Sequence, residues 1–169
     1  AASIGCEVVP WTGDPERGWE LDLAVLEALI TPRTRAIVVN CPHNPTGYVM
    51  SPAAQRELVA LARRHDLLLF SDEVYRFLEH DGTPTLPAAC DLYERAVSLG
   101  VMSKSFGLPG LRIGWVATRE RAILERMAEL KDYTTICNSA PGELLAALAL
   151  RHHGRLSTRS RDVARANLA

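Results

Sequence analysis

Only two of the 19 Lys and Arg side chains are lysines, Lys104 and Lys131. Lys104 stands in S-K-S-F-G-L-P-G-L-R-I-G-W at residues 103–115, with Ser103 just before it and Arg112 eight residues beyond. Upstream lie N-P-T-G at residues 44–47 and S-D-E-V-Y-R at residues 71–76, which contribute Asn44, Asp72 and Tyr75. Each grouping has an ordinary explanation by itself. Asn, Pro and Gly favour turns, an Asp behind a strand commonly caps a helix, and a lysine in a Gly- and Ser-rich loop is commonly a solvated charge. Lys131, in E-L-K-D at the charged end of an amphipathic helix, fits that solvated role.

Occurring together and in this order, the groups suggest one chemistry. An aldehyde cofactor held as a Schiff base needs a lysine whose amine can be neutral. A pyridine ring used as an electron sink needs a carboxylate to keep its nitrogen protonated. A phosphate handle suits the planar fork of arginine and a short serine donor. The inventory of amide, carboxylate, phenol, lysine, serine and arginine fits pyridoxal 5'-phosphate.

The apolar pattern supplies the elements that must carry these groups. Residues 36–40 form a β-branched run too continuous for a half-exposed strand, read as a strand buried on both faces, and residues 67–71 read as a second buried strand. Residues 96–102 and 113–118 read as further strands, and residues 6–11 as a short strand entering a loop at Gly13, Asp14 and Pro15. Between them, Asp22 can cap a helix over residues 23–30, and Ser51-Pro52 opens another whose buried stripe is Leu58, Leu61 and Ala62. Helical patterns follow at residues 120–131 and 141–152, the latter expected to end at His152 and His153 beside Gly154, and residues 159–169 look like the opening of one more. Strands alternating with helices imply a mostly parallel sheet covered on both faces. In such a sheet ligands collect at the carboxyl ends of the strands, where residues 44–47, Asp72 with Tyr75, and Ser103-Lys104 all fall.

These motifs resemble the signatures of class I/II pyridoxal-phosphate aminotransferases, and the similarity runs from about residue 6 to residue 150. The resemblance implies fold type I: a three-layer α/β/α large domain with a mostly parallel mixed sheet. It implies that residues 1–169 are part of this cofactor-binding domain, the N-terminal segment and the C-terminal small domain lying outside them. By motif, Lys104 would hold the cofactor as a Schiff base and then move a proton between the substrate α carbon and the cofactor. Asp72 would pair with the pyridine nitrogen, Asn44 and Tyr75 with the ring hydroxyl oxygen, and Ser103 and Arg112 with the phosphate, with Asn44-Pro45 cis. Many relatives carry Ser or Thr where this chain has Val101, so phosphate binding would lean on Arg112 and Ser103. The implied activity moves an amino group between an amino acid and a 2-oxo acid, in a homodimer. Two alternatives remain open: a lyase, decarboxylase or cyclase on the same scaffold, or an aminotransferase-like sensor domain of a transcriptional regulator.

Composition bounds the rest. With 169 residues and 47% apolar content the chain can bury one sizeable core, and its first and last residues suggest a piece of a larger protein. A net charge of -1 gives no electrostatic reason to expect nucleic acid or a membrane surface, and the arginines at 151, 155, 159, 161 and 165 lack interleaved aromatics. No apolar run approaches membrane-spanning length, so a cytoplasmic location is expected. Cys6, Cys41, Cys90 and Cys137 are far apart and read as reduced thiols, Cys41 as a packing residue. No His or Cys spacing suggests a metal. Glu73, adjacent to Asp72, reads as structural because sequence neighbours seldom converge on one point.

Overall fold

In the computed structural model, which describes residues 2–80 and 82–168, four strands form one sheet in the order β1-β2-β3-β4. They are β1 (Ala36–Asn40), β2 (Leu68–Asp72), β3 (Ala96–Val101) and β4 (Gly114–Thr118). The first three run parallel and β4 returns antiparallel to β3, giving the mostly parallel mixed sheet expected from the sequence.

Parallel neighbours need crossovers, and the helices supply them. After α1 (Leu23–Leu29), α2 (Pro52–Arg64) joins β1 to β2, and a loop containing the single turn α3 (Ala89–Leu92) joins β2 to β3. Local chemistry starts these helices as the sequence suggests. The Asp22 carboxylate accepts the Ala24 N–H at 2.8 Å, and the Ser51 hydroxyl accepts that of Ala54 at 3.1 Å with Pro52 in the first turn. Leu58, Val59, Leu61 and Ala62 of α2 pack on Ile37, Val39, Leu69 and Ala96, which share one face of the sheet. Tyr93 is buried in this core, its hydroxyl donating to the Leu67 carbonyl at 3.0 Å.

A second, smaller core holds the loop between β3 and β4. Met102 and Phe106 pack with Ala146 of α5 (Ala140–Leu150) and with Leu156 of α6 (His153–Ala166). Gly142 of α5 lies so close to the Leu111 carbonyl that an added Cβ would stand 3.2 Å from it. α4 (Arg121–Thr134) follows β4 and carries no buried residue.

Three expectations need correction. Residues 6–11 pair with no strand among the described residues; they form irregular, largely exposed chain, anchored where the Trp11 indole donates to the Asp22 carbonyl at 2.8 Å. An apolar run becomes a strand only when another strand offers an edge, and none meets it here. β1 is not buried on both faces either, since Val38 is 68% exposed: the described helices cover the Ile37 and Val39 side and leave the other open. Finally, α5 stops at Leu150, and His152 and His153 begin α6 instead of ending α5, so Gly154 sits within a first helical turn. The helix expected from residue 159 therefore starts earlier. Among the described residues no helix is long and apolar enough to cross a membrane.

Candidate active site

The sheet brings the candidate residues to one edge. β1 and β2 end side by side with Asn40 opposite Asp72, and Asp72 is opposite Leu99 of β3. From β1 the chain enters a tight turn with cis Cys41-Pro42 and Asn44-Pro45 peptides. The Asn44 N–H donates to the Asn40 side-chain oxygen at 3.3 Å, which folds the turn back over its own strand. His43 and Thr46 close it through a 2.7 Å contact between Nδ1 and Oγ1. Asp72 is the last residue of β2, and one of its carboxylate oxygens accepts the Val74 N–H at 3.2 Å. The turn that follows presents Tyr75, whose ring lies 5.4 Å from the Lys104 Nζ.

Lys104 is exposed in the loop after β3. Backbone bonds fix that loop: Met102 N–H to the Ile113 carbonyl, Leu108 N–H to that of Met102, and Gly107 N–H to that of Lys104, each 3.0 Å. Because the first of these extends the β3-β4 ladder beyond Val101 opposite Gly114, Ser103 and Arg112 come next in register. Arg112 is left-handed with φ 55°, a conformation that costs a non-glycine residue energy and concentrates at functional sites. Its guanidinium donates to the Pro109 carbonyl at 3.0 Å.

The direct side-chain contact among the six candidates is that of Lys104 with Tyr75; topology alone gathers Asn44, Asp72, Ser103 and Arg112 beside them. These side chains share a second property. Among the described residues, the Lys104 amine, the Tyr75 and Ser103 hydroxyls, the Asn44 amide and the second Asp72 oxygen make no hydrogen bond within the protein. Neighbouring polar groups are used up by the fold. Glu73 Oε1 accepts from the Ala89 N–H and the Ser98 hydroxyl, each at 2.8 Å, which ties the turn to β3 and α3. Lys131 is likewise engaged, donating to Thr135 and Asn138 at the end of α4.

The family profile described as aminotransferase class I and II matches residues 1–164. The chain belongs to the class I and II aminotransferases. It is 37% identical over 167 residues to capreomycidine synthase of Streptomyces vinaceus, which covers 99% of this chain and 42% of that protein. It is 42% identical over 115 residues to an arginine–pyruvate transaminase of Pseudomonas aeruginosa, covering 68% of this chain and 29% of that one. A solved pyridoxal-phosphate-dependent aminotransferase from Streptococcus suis superposes with a TM-score of 0.90 at 36% identity, over 99% of this chain and 44% of its own. The sheet and helices are thus those of an aminotransferase large domain, and the chain spans less than half the length of these relatives.

Within this aminotransferase framework some residues at the site were not marked by sequence. Ser105, next to the lysine, is 2% exposed and bonded to the Tyr75 turn. Gly100 accommodates the Trp115 indole, whose atoms lie 2.5 Å from where its Cβ would be. A serine and a glycine in a Gly- and Ser-rich motif carry no signal of such contacts. Among the described residues no three His, Cys, Asp or Glu side chains come together as a metal site.

Proposed function

We propose that the protein carrying this chain is a pyridoxal-phosphate-dependent aminotransferase that moves an amino group between an amino acid and a 2-oxo acid, with the cofactor attached covalently at Lys104. The observation that carries this reading is the convergence of unpaired polar groups on one sheet edge, with a lysine amine beside a phenol ring. The donor set fits the cofactor: Asp72 can hold a proton on a pyridine nitrogen, Asn44 and Tyr75 can pair with a ring hydroxyl oxygen, and Ser103 with Arg112 can hold a phosphate. Bound there, pyridoxal phosphate supplies the electron sink that lets an amino acid lose its α proton. The Lys104 amine, released from the cofactor when substrate binds, would take that proton and return it one position away. Tyr75 and Asn44 would hold the ring against rotation while this happens.

The isolated 169-residue chain should turn over little or nothing, since catalysis depends on orienting groups that the remaining length of such proteins contributes and, we infer, on a second copy of the protein. The test is chemical. In the full-length protein with pyridoxal phosphate, borohydride reduction followed by peptide mass analysis should place the label on Lys104, and Lys104→Ala should lose it. Label on Lys131, or attachment surviving in Lys104→Ala, would sink the assignment.

A second reading has one observation in its favour: a relative aligned over 99% of this chain is named a synthase, not a transaminase. A synthase, lyase or decarboxylase would consume its amino acid without any 2-oxo acid acceptor, whereas the aminotransferase should stop after one half-reaction when the acceptor is withheld.

A further inference from the structure

The Lys104 loop and the Tyr75 turn face each other residue by residue. Lys104 Nζ lies 5.4 Å from the Tyr75 ring centre, and the Phe106 and Phe77 ring centres are 6.2 Å apart. Between these pairs sits Ser105, 2% exposed, its hydroxyl bonded to the Val74 carbonyl at 3.1 Å and to the Arg76 carbonyl as well. The two acceptors are the residues on either side of Tyr75, and the donor is the residue after Lys104. Neither carbonyl has another hydrogen-bond donor among the described residues.

The turn needs that hold. Phe77 has φ 79°, unfavourable for a bulky side chain, and the Arg76 carbonyl belongs to the peptide that sets it. The Arg76 guanidinium lies 4.7 Å over the Phe77 ring and bonds to the Leu86 carbonyl at 2.8 Å, so the far side of the turn is anchored elsewhere. A hydroxyl has a single proton, which the two carbonyls must share. This pins the turn at both flanks of Tyr75.

We propose that Ser105 is a positioning residue whose buried hydroxyl docks the Lys104 loop on the Tyr75 turn and sets the separation of amine and phenol. The inference rests on the functional reading above and extends it to a residue that need touch neither cofactor nor substrate. Removing the hydroxyl leaves both carbonyls without their donor and frees the turn to drift, so both the hold on the cofactor and its electronic setting should change.

The test uses the full-length protein loaded with pyridoxal phosphate. Ser105→Ala should raise the cofactor dissociation constant about tenfold. It should also move the pH at which the absorbance of the lysine-bound cofactor changes by about half a unit or more. Ser105→Thr, which keeps the donor, should restore both values toward wild type. Ser105→Cys keeps the volume and weakens the donor, so it should shift both in the same direction by less, and it serves if the alanine variant does not fold. A variant that loses only melting temperature, with dissociation constant and pH midpoint unchanged, assigns Ser105 a purely structural role and overturns the inference. Should the wild-type protein itself fail to attach the cofactor at Lys104, the functional reading falls and this inference with it.

Discussion

Asp72 and Glu73 are adjacent carboxylates with opposite surroundings. Glu73 is consumed by the Ala89 N–H and the Ser98 hydroxyl, whereas Asp72 spends one oxygen on Val74 at the open edge of the sheet. Their variants should therefore fail differently. Asp72→Asn keeps the acceptor for Val74, so the fold should survive, while activity of the full-length enzyme should drop about a hundredfold or more on the proposed pairing of Asp72 with the pyridine nitrogen. Glu73→Ala should cost roughly 1–3 kcal/mol of stability by leaving buried donors unmet, with a smaller effect on turnover per folded molecule. Urea unfolding and initial rates on both variants separate the two roles. At this scale residue type and order along the chain single out a lysine, a carboxylate and an arginine as candidates, and the fold brings them to one sheet edge. Type and order leave Ser105 invisible, since its task depends on carbonyl positions that only the folded turn defines.

The hairpin of β3 and β4 carries the lysine loop, and its inner surface depends on one missing side chain. The Trp115 indole occupies the space a Gly100 Cβ would fill, and it also meets Phe106 at 6.1 Å between ring centres. Gly100→Ala should cost about 1–3 kcal/mol because the ring must swing out of a packed site. Adding Trp115→Ala to that variant should make the glycine replacement much less costly, which a double-mutant cycle in urea will show. Among the elements, four strands and the capped starts of α1 and α2 follow from apolar runs, Asp22 and Ser51. The antiparallel return of β4 was not legible, because an apolar run has no direction until a neighbour sets it. Residues 6–11 show the converse: the same kind of run pairs with no strand among the described residues. His152 and His153 start a helix where the sequence suggests an end, because glycine at a helix end and glycine in a first turn look alike without backbone angles.

Across the whole molecule, stability should respond to alkali through groups far from the lysine. Burial pushes the Cys41 thiol above its ordinary 9.0, with the Met50 N–H opposing and Glu79 and Glu73 adding to the rise. Burial likewise pushes the Tyr48 and Tyr93 phenols above 10.0. All three are neutral in folded and unfolded chains at neutral pH. As pH rises past 9.0 the unfolded chain ionises first while the fold resists, so these groups should make stability fall from there upward. Urea midpoints measured on either side of that value should show the decline, and Tyr93→Phe should make it shallower. The two-core plan separates this alkali-sensitive body from the smaller cluster around Met102 and Phe106 that steadies the lysine loop. Trp115 meets Phe106 of the latter, while Trp11 and Trp19 lie in the chain before α1. An indole emits light where a pyridoxal chromophore absorbs. Excited by ultraviolet light, the protein should thus report cofactor arrival by dimming, and Trp115→Phe should lessen that quenching; the indole seated against Gly100 would then serve as an optical gauge of cofactor binding.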